Sequence, residues 1–334
     1  MNKVYESIDR FGQEWEGDVC LALGMFDGVH RGHQSVLDLV VQNAGHCRGA
    51  AVALTFPKHP AAFLRPGKEP SLLMSPCRKA EQLIQSGMSA VILQPFDQEL
   101  AEVEAIDFLS FLKARIPHLR AVCVGENFRF GKNRSGDSQS LVSYGDEDGL
   151  RVSVADSLIF EDITISSSRI REALASAKMQ KVKKMLGRNY SVVGKVQQGK
   201  ALGGKIGFPT LNIPWSPEAQ PPLGVYAGRV QELNSGQVLP AVANYGLRPT
   251  IEVDAGVPIL EVHCLESPNS SIWKAGATLS MSLDVFIRSE KKFSGVNKLK
   301  DQIHKDCEQA KNYLATPWTD GRETSNSSGR QSVP

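Results

Sequence analysis

The stretch GMFDGVHRGHQ (residues 24–34) follows directly on a short apolar run, VCLALG (residues 19–24). Its three glycines permit backbone conformations and close approaches that a side chain would block. His30 and His33 are three residues apart, so they share one face of any helix that begins here. Two imidazoles beside the positive end of a helix dipole can donate hydrogen bonds to a polyphosphate as negative charge builds up. The alternative is that one His caps the turn and the other lies on the surface, but the position behind a strand and glycines favours phosphate binding.

Short apolar runs alternate with amphipathic segments through the first half of the chain. The runs end near Gly, Pro or polar residues, as buried parallel strands do, and lie at residues 19–24, 50–56, 90–96 and 121–128. Between them, apolar residues recur at helical spacing in residues 33–44, 77–87 and 105–116. This alternation predicts an α/β fold with a doubly wound parallel sheet, in which ligands bind at the carboxyl ends of the strands.

The pattern changes in the second half. A single helix is predicted over residues 166–187, with Gly187 as its C-cap. Beyond it, strand-like runs separated by Gly, Pro, Asn and Ser lie at residues 190–197, 224–233, 239–246, 259–266 and 277–287. They predict an antiparallel, barrel-like second domain, on which a C-terminal helix at residues 297–314 packs. The polar, turn-rich residues 315–334 are predicted to form a disordered tail.

The composition limits the classes of function. A formal net charge of +2 over 334 residues does not require a nucleic-acid partner. Six scattered cysteines without a C-x-x-C pair argue against a zinc site and fit a reducing cytosol. The N-terminus lacks the apolar core of a signal peptide, and no apolar run reaches membrane-spanning length. We therefore expect a soluble, cytoplasmic protein without a membrane, nucleic-acid or obligatory protein partner.

Three segments of the first domain carry a family resemblance, in the same order along the chain. GMFDGVHRGHQ, VGENFRFGKNRSGD (residues 124–137) and ISSSRIREAL (residues 165–174) resemble motifs of the bacterial bifunctional riboflavin kinase/FMN adenylyltransferases, or FAD synthetases. The resemblance implies a Rossmann-like HxGH nucleotidyltransferase domain over residues 1–186, with His30 and His33 as catalytic residues. It also implies nucleotide or phosphate contacts from Gly24, Phe26, Asp27, Asn127, Arg129, Ser166, Ser167, Ser168, Arg169 and Arg171.

The serine-rich segment also supports a phosphate site on physical grounds. Three serines at a helix N-terminus offer hydroxyls and backbone N–H groups to a phosphate, and two arginines add positive charge. A plain N-cap is the alternative, although one serine would suffice for that. This segment departs from the family pattern at Ser168, where the family usually has Thr. A second departure lies earlier in the chain: TFPKHP (residues 55–60) keeps the histidine, His59, but lacks the family's usual acid.

The glycine-rich stretch GKALGGKIGFPTLNI (residues 199–213) matches a P-loop only in part. Ile206 stands where a P-loop has its Mg²⁺-binding hydroxyl, and the Gly-Phe-Pro that follows disfavours a helix. The stretch instead resembles the riboflavin-kinase pattern, in which a glycine-rich turn leads into G-F-P-T-x-N. That likeness implies that Thr210 and Asn212 hold Mg²⁺ and the ATP phosphates, since hydroxyl and amide oxygens are hard ligands. Phosphate contacts implied for the same turn come from Gly199 and Lys205.

The run ILEVHCLE (residues 259–266) carries a candidate base. Strand alternation puts Glu261 and His263 on one face and three apolar residues on the other. The run resembles the family's L-E-V-H-L-L strand, and the likeness implies that Glu261 accepts the proton of the hydroxyl that is phosphorylated. Without that match, a solvated strand Glu is the alternative. NYGLRPT and FIRSEKKF resemble further family segments, which imply flavin contacts from Asn244, Arg248 and Arg288.

The resemblance implies two linked activities. A β-barrel riboflavin kinase domain over residues 187–314 would phosphorylate riboflavin with MgATP to FMN. The N-terminal domain would join FMN to the adenylyl group of a second ATP, giving FAD and pyrophosphate. Gly203-Gly204 departs from the family's Gly-Arg, and the loop at residues 266–276 lacks the family's acidic pattern. Two alternatives therefore stay open: an FMN adenylyltransferase with a weak kinase half, and a non-catalytic flavin-binding protein.

Overall fold

The computed structural model describes residues 3–197, 204, 206–247, 258–266 and 275–315. The chain divides into two compact units. The N-terminal unit is Met1–Ala175 with Pro217–Gln220, and the C-terminal unit is Ser176–Ser216 with Pro221–Pro334. Residues 316–334 of the predicted tail lie outside the described residues.

The N-terminal unit contains one large parallel sheet. The strands of this unit are β1 (Lys3–Tyr5), β2 (Val19–Leu23), β3 (Ala50–Thr55), β4 (Ala90–Leu93), β5 (Leu119–Gly125), β6 (Arg129–Phe130), β7 (Gly136–Asp137), β8 (Arg151–Ala155), β9 (Ile159–Phe160) and β10 (Ile163–Thr164). Six of them form a sheet in the order β1-β4-β3-β2-β5-β8, with every pair parallel. The short strands β6 with β7, and β9 with β10, form two antiparallel hairpins.

Helices cover both faces of this sheet. They are α1 (Ile8–Glu14), α2 (Arg31–Cys47), α3 (Ala61–Leu64), α4 (Pro76–Gln85), α5 (Gln98–Glu102), α6 (Phe108–Arg115), α7 (Ser138–Asp148) and α8 (Ser167–Ala175), with a 3₁₀ turn at Lys132–Arg134. Alternate residues of β2 enter two different cores: Val19, Leu21 and Leu23 pack on one side, and Cys20 and Ala22 on the other. A strand buried on both faces is expected of a doubly wound sheet, so the predicted fold is confirmed.

The C-terminal unit is an antiparallel barrel with helices. It contains α9 (Met179–Leu186), α10 (Val296–Leu314) and the strands β11 (Tyr190–Lys195), β12 (Leu211–Pro214), β13 (Gly224–Glu232), β14 (Val238–Leu247), β15 (Pro258–Cys264), β16 (Thr278–Leu283) and β17 (Val285–Ser289). The sheet order is β11-β16-β13-β14-β15-β12, and β17 also pairs with β13. The N–H of Gln197 donates to the carbonyl of Asn212 at 2.9 Å, which joins the two end strands and closes the sheet. The predicted barrel and C-terminal helix are confirmed.

Two predicted elements are divided in the structure. The single helix predicted over residues 166–187 is wrong: α8 ends at Ala175 and α9 begins at Met179. Ala177 between them has a φ of 53°, in the left-handed region that a right-handed helix cannot accommodate. The run at residues 277–287 is likewise two strands, separated at Asp284.

Two candidate active sites

The turn between β2 and α2 has an unusual backbone. Phe26 and Val29 have φ angles of 47° and 38°, and Gly28 has a φ of 82°. The left-handed region is unfavourable for a residue with a side chain, and for a β-branched one such as Val above all. Residues held in such conformations cluster at ligand sites, where surrounding contacts maintain them. The turn leads from the carboxyl end of the central strand into the helix that carries both histidines.

His30 and His33 lie together at the start of α2. His30 is the N-cap, and its Nδ1 accepts a hydrogen bond from the backbone N–H of His33 at 3.2 Å. A neutral His30 therefore carries its proton on Nε2. The two rings stack with centroids 3.5 Å apart, and the ring of Phe26 meets that of His33 edge-on at 5.3 Å. The histidine pair thus has the shared position at a helix N-terminus that the spacing predicts.

Asp27 connects this turn to α8. Its side chain accepts hydrogen bonds from the N–H of Leu73 at 2.9 Å and from Nη2 of Arg171 at 2.8 Å, and its carbonyl accepts one from the hydroxyl of Ser167 at 2.8 Å. Burial raises the pKa of the Asp27 carboxyl, and the charge of Arg171 opposes that rise. The two segments predicted to bind phosphate are therefore held together by Asp27, Ser167 and Arg171.

Most polar side chains at the start of α8 form hydrogen bonds with other groups of the protein. The hydroxyl of Ser166 accepts from the N–H of Arg169 at 3.3 Å, as an N-cap does, and Arg171 lies 3.4 Å from the hydroxyl of Ser168. Nη1 of Arg169 donates to three carbonyls of the β9–β10 hairpin region, those of Phe160, Ile163 and Thr164. Arg169 thus fixes that hairpin next to the helix, while its contact with phosphate stays a prediction.

Asn127 and Arg129 lie just beyond the end of β5, which is the neighbour of β2 in the sheet. The amide of Asn127 donates to the hydroxyl of Ser157 at 2.9 Å. Arg129 pairs with Asp137 at 2.8 Å, and Asp137 caps α7. Both predicted residues are exposed at the edge of the sheet where the histidine turn also lies.

Sequence reasoning missed Lys79, a buried residue beside this turn. Its side chain lies on α4, and its ammonium donates to the carbonyls of Met25 at 3.0 Å and Phe56 at 2.6 Å. Burial lowers the pKa of Lys79 to about 8. The sequence did contain a signal that Lys79 is buried, because this residue adjoins Ala80 and lies one helical turn from Leu83, both on the apolar face of α4.

In the C-terminal unit, three predicted residues form one row across adjacent strands. Asn212 on β12 pairs with Glu261 on β15, and Glu261 pairs with Asn244 on β14. Glu261 is exposed while both of its strand neighbours, Leu260 and Val262, are buried, so the predicted alternation is confirmed. Directly opposed residues of paired strands share a face, which brings the candidate base between the two amides.

Thr210 and Asn212, the predicted Mg²⁺ ligands, lie two residues apart at the start of β12. Asn212 is 8% exposed, and its Oδ1 has no hydrogen-bond donor among the described residues. A buried amide oxygen without a donor is unfavourable unless a ligand contacts it. Thr210 is half-buried and directly precedes β12. The carbonyl of Pro209, next to Thr210, lies 2.9 Å from Nδ1 of His263, which anchors this segment to β15.

Arg288 on β17 belongs to the same row, two strands beyond Asn244. Val225 pairs with both Asn244 and Arg288. The guanidinium of Arg288 makes hydrogen bonds of 2.7–3.0 Å with both carboxylate oxygens of Asp306 on α10. This residue therefore links the row to the C-terminal helix, and its predicted flavin contact stays a prediction. Gly199, Lys205 and Arg248 lie outside the described residues.

Comparisons with known proteins agree with this two-unit arrangement. Residues 13–169 match the FAD synthetase family, and residues 186–314 match the riboflavin kinase family. A relative from Escherichia coli K12 is 33% identical over 306 residues, covering 91% of this chain and 95% of its own length. Its name is bifunctional riboflavin kinase/FMN adenylyltransferase. This chain belongs to that family.

Other members of the bifunctional riboflavin kinase/FMN adenylyltransferase family align equally well. The Haemophilus influenzae protein is 35% identical over 294 residues, covering 88% of this chain and 94% of its own. The Bacillus subtilis protein is 33% identical over 309 residues, covering 91% and 95%. Both units of this chain thus have counterparts in single-chain relatives.

A solved structure shares the fold. The crystal structure of a protein described as a macrolide-efflux protein, from Streptococcus pneumoniae, superposes with a TM-score of 0.79 at 24% identity, covering 96% of this chain and 100% of that one. At this identity the likeness concerns the fold alone. Among the helices that the structure describes, none combines the length and apolar character needed to cross a membrane. Likewise, no three His, Cys, Asp or Glu side chains in the described ranges come together as a metal site.

Proposed function

We propose that this chain makes FAD from riboflavin and ATP in two steps, each in its own unit. The C-terminal unit transfers the γ-phosphoryl group of ATP to the ribityl 5′-hydroxyl of riboflavin, giving FMN and ADP. The N-terminal unit then lets a phosphate oxygen of FMN attack the α-phosphorus of a second ATP, giving FAD and pyrophosphate. The observation that carries the proposal is that each family motif set forms its own cluster: the stacked histidine pair in one unit, and the Asn212–Glu261–Asn244 row in the other.

In the kinase step, Glu261 takes the proton of the 5′-hydroxyl as its oxygen bonds to the γ-phosphorus and the bond to ADP breaks. Glu261 is exposed on β15, so a substrate can reach it. Mg²⁺ would be held by Thr210 and by Asn212, whose Oδ1 has no donor among the described residues. When bound, this ion screens the charge of the transferring phosphoryl group. Asn244 and Arg288 are proposed to orient the flavin.

The adenylyl transfer requires no base, because the attacking phosphate oxygen is already an anion. What it requires is position and stabilisation of charge on the leaving pyrophosphate. His30 and His33 at the start of α2, and the serines at the start of α8, supply donors beside two helix N-termini. Asp27 and Arg171 fix these two segments relative to each other.

The substitution Glu261→Gln tests the division of labour. It keeps the shape of the side chain and removes the proton acceptor, so FMN formation from riboflavin should fall on the order of 10²- to 10⁴-fold. FAD formation from supplied FMN should stay at the wild-type rate. Glu308→Gln, at an exposed carboxylate on α10, is the matched control and should leave both rates unchanged. Loss of both activities in a folded Glu261→Gln chain would refute the assignment.

A further inference from the structure

Lys79 is a buried cation that the two-step scheme does not use. It is 1% exposed, whereas lysine is almost never fully buried unless it is paired. Its ammonium contacts two main-chain carbonyls, those of Met25 and Phe56. The charge of Asp27 raises the pKa of Lys79, but this effect is smaller than the lowering that burial causes. The folded protein therefore retains this charge at a cost in stability.

The two carbonyls belong to loops that follow neighbouring strands. Met25 lies in the histidine turn after β2, between Gly24 and the left-handed Phe26. Phe56 follows β3 and lies in the TFPKHP stretch. The Met25 carbonyl also accepts a hydrogen bond of 2.8 Å from the hydroxyl of Thr55. The Lys79 ammonium thus joins the histidine turn to the next loop along the sheet edge.

An uncharged side chain of the same length would fill this space without the cost of burying a charge. The cation instead fixes the peptide that sets the conformation of the turn. Charge-assisted hydrogen bonds are shorter and about twice as strong as neutral ones. Phe26 packs on His33, so any rotation of the Met25 peptide would move the ring beside the histidine pair.

We infer that Lys79 is a positioning residue for adenylyl transfer, whose ammonium holds the Met25 and Phe56 carbonyls and thereby fixes the turn that presents His30 and His33 to the ATP phosphates. This inference rests on the proposed FAD-forming activity of the N-terminal unit. Lys79 acts through the main chain and does not itself touch the reacting atoms.

The first test is Lys79→Met, which keeps the apolar stem and removes the ammonium. With FMN and MgATP as substrates, the turnover rate per folded molecule should fall on the order of 10- to 100-fold, since small misplacements of reacting groups have effects of that size. FMN formation from riboflavin should be unchanged, as the C-terminal unit contains its own site. Lys68→Met, at an exposed lysine of the same unit, is the matched control and should match wild type in both assays.

The pH dependence of FAD formation gives a second, independent readout. The charge on Lys79 is present below about pH 8 and is lost above it, so wild-type turnover should decline as the pH rises through 8. Lys79→Arg keeps a charge at all these pH values and should remove that decline. The charge of Asp27 acts on Lys79 directly, and Lys79 in turn acts on His59, whose other charged neighbours are Arg171, Asp27 and Arg134. Burial lowers the pKa of His59, so this residue does not titrate near pH 8.

These experiments distinguish failure of the proposed FAD-forming activity from failure of the positioning role of Lys79. If wild type makes no FAD from FMN, both the proposed function and the role of Lys79 are refuted. If wild type makes FAD but Lys79→Met turns over within twofold of wild type per folded molecule, only the positioning role is overturned. Should Lys79→Met not fold, the pH profiles of wild type and Lys79→Arg decide: the same alkaline decline in both would overturn the inference.

Discussion

At the scale of single residues, the histidine turn depends on the absence of a side chain at Gly24. A Cβ there would lie 2.9 Å from the ring of Phe26, which is 1% exposed and has little room to move. Gly24→Ala should therefore displace Phe26 and the His33 ring packed against it, and lower FAD formation from FMN on the order of 10- to 100-fold. The measurement is a steady-state assay with FMN and MgATP, beside the FMN-forming assay.

A second glycine provides the control for this prediction. Gly45 lies in α2, exposed, and a Cβ there would meet no atom within 4 Å. Gly45→Ala should keep full activity and raise the free energy of unfolding by about 0.5–1 kcal/mol, because alanine loses less backbone entropy in a helix. Wild-type FAD formation in Gly24→Ala would show that the Phe26–His33 contact does not matter for the reaction.

The environment of a single residue could be predicted from the sequence where it follows from the periodicity of a strand or a helix. The exposure of Glu261 follows from strand alternation, and the pairing of His30 with His33 follows from helical spacing. Contacts between residues that are distant in the sequence could not be predicted. The Lys79 bond to Met25 spans 54 residues and that of Arg171 to Asp27 spans 144, so no local pattern encodes either.

At the scale of secondary-structure elements, the Arg288–Asp306 pair ties β17 to α10. Their side chains are 14% and 3% exposed, and Gln302 adds a hydrogen bond of 2.9 Å to Asp306. Asp306→Ala would leave a mostly buried guanidinium without its partner, which costs about 3–5 kcal/mol of unfolding free energy. Denaturant unfolding of the C-terminal unit measures this, and riboflavin phosphorylation should fall with it.

An exposed pair on the same helix supplies the comparison. Lys311 and Glu308 are 3.0 Å apart, with both side chains more than half exposed. Glu308→Gln should change the unfolding free energy by less than about 1 kcal/mol. Equal effects of the two substitutions would mean that the Arg288–Asp306 pair contributes no more than a surface ion pair.

The elements themselves were predictable where apolar periodicity is strong. The four central strands of the sheet, the helices α2, α4, α6 and α10, and the five barrel runs occur close to their predicted positions, although the last run is divided into two strands. The strands β1, β8 and β12 were missed because they are only three to five residues long and carry charged or polar residues. The break at Ala177 was missed because Ser-Ala-Lys carries no Gly or Pro to end a helix.

At the scale of the whole molecule, the two units perform complementary chemistry on one flavin. A neutral hydroxyl needs a base before it can attack phosphorus, and the kinase row offers Glu261 for that role. The phosphate that this step installs is an anion, and the proposed histidine site offers donors for the charge that develops on pyrophosphate. Asp27, the acid of the histidine turn, is 1% exposed and bonded to Arg171 and Leu73. The FMN formed by the C-terminal unit thus carries the negative charge that the proposed adenylyl transfer requires of its nucleophile.

The most direct test of the two-step reaction is a time course with the purified chain, riboflavin and MgATP, followed by chromatography of the flavins. We expect FMN to rise first and then give way to FAD, with pyrophosphate released in proportion to FAD. Accumulation of FMN without FAD would contradict the role given to the histidine site. Unchanged riboflavin, with supplied FMN still converted to FAD, would contradict the kinase role of Glu261 and its row.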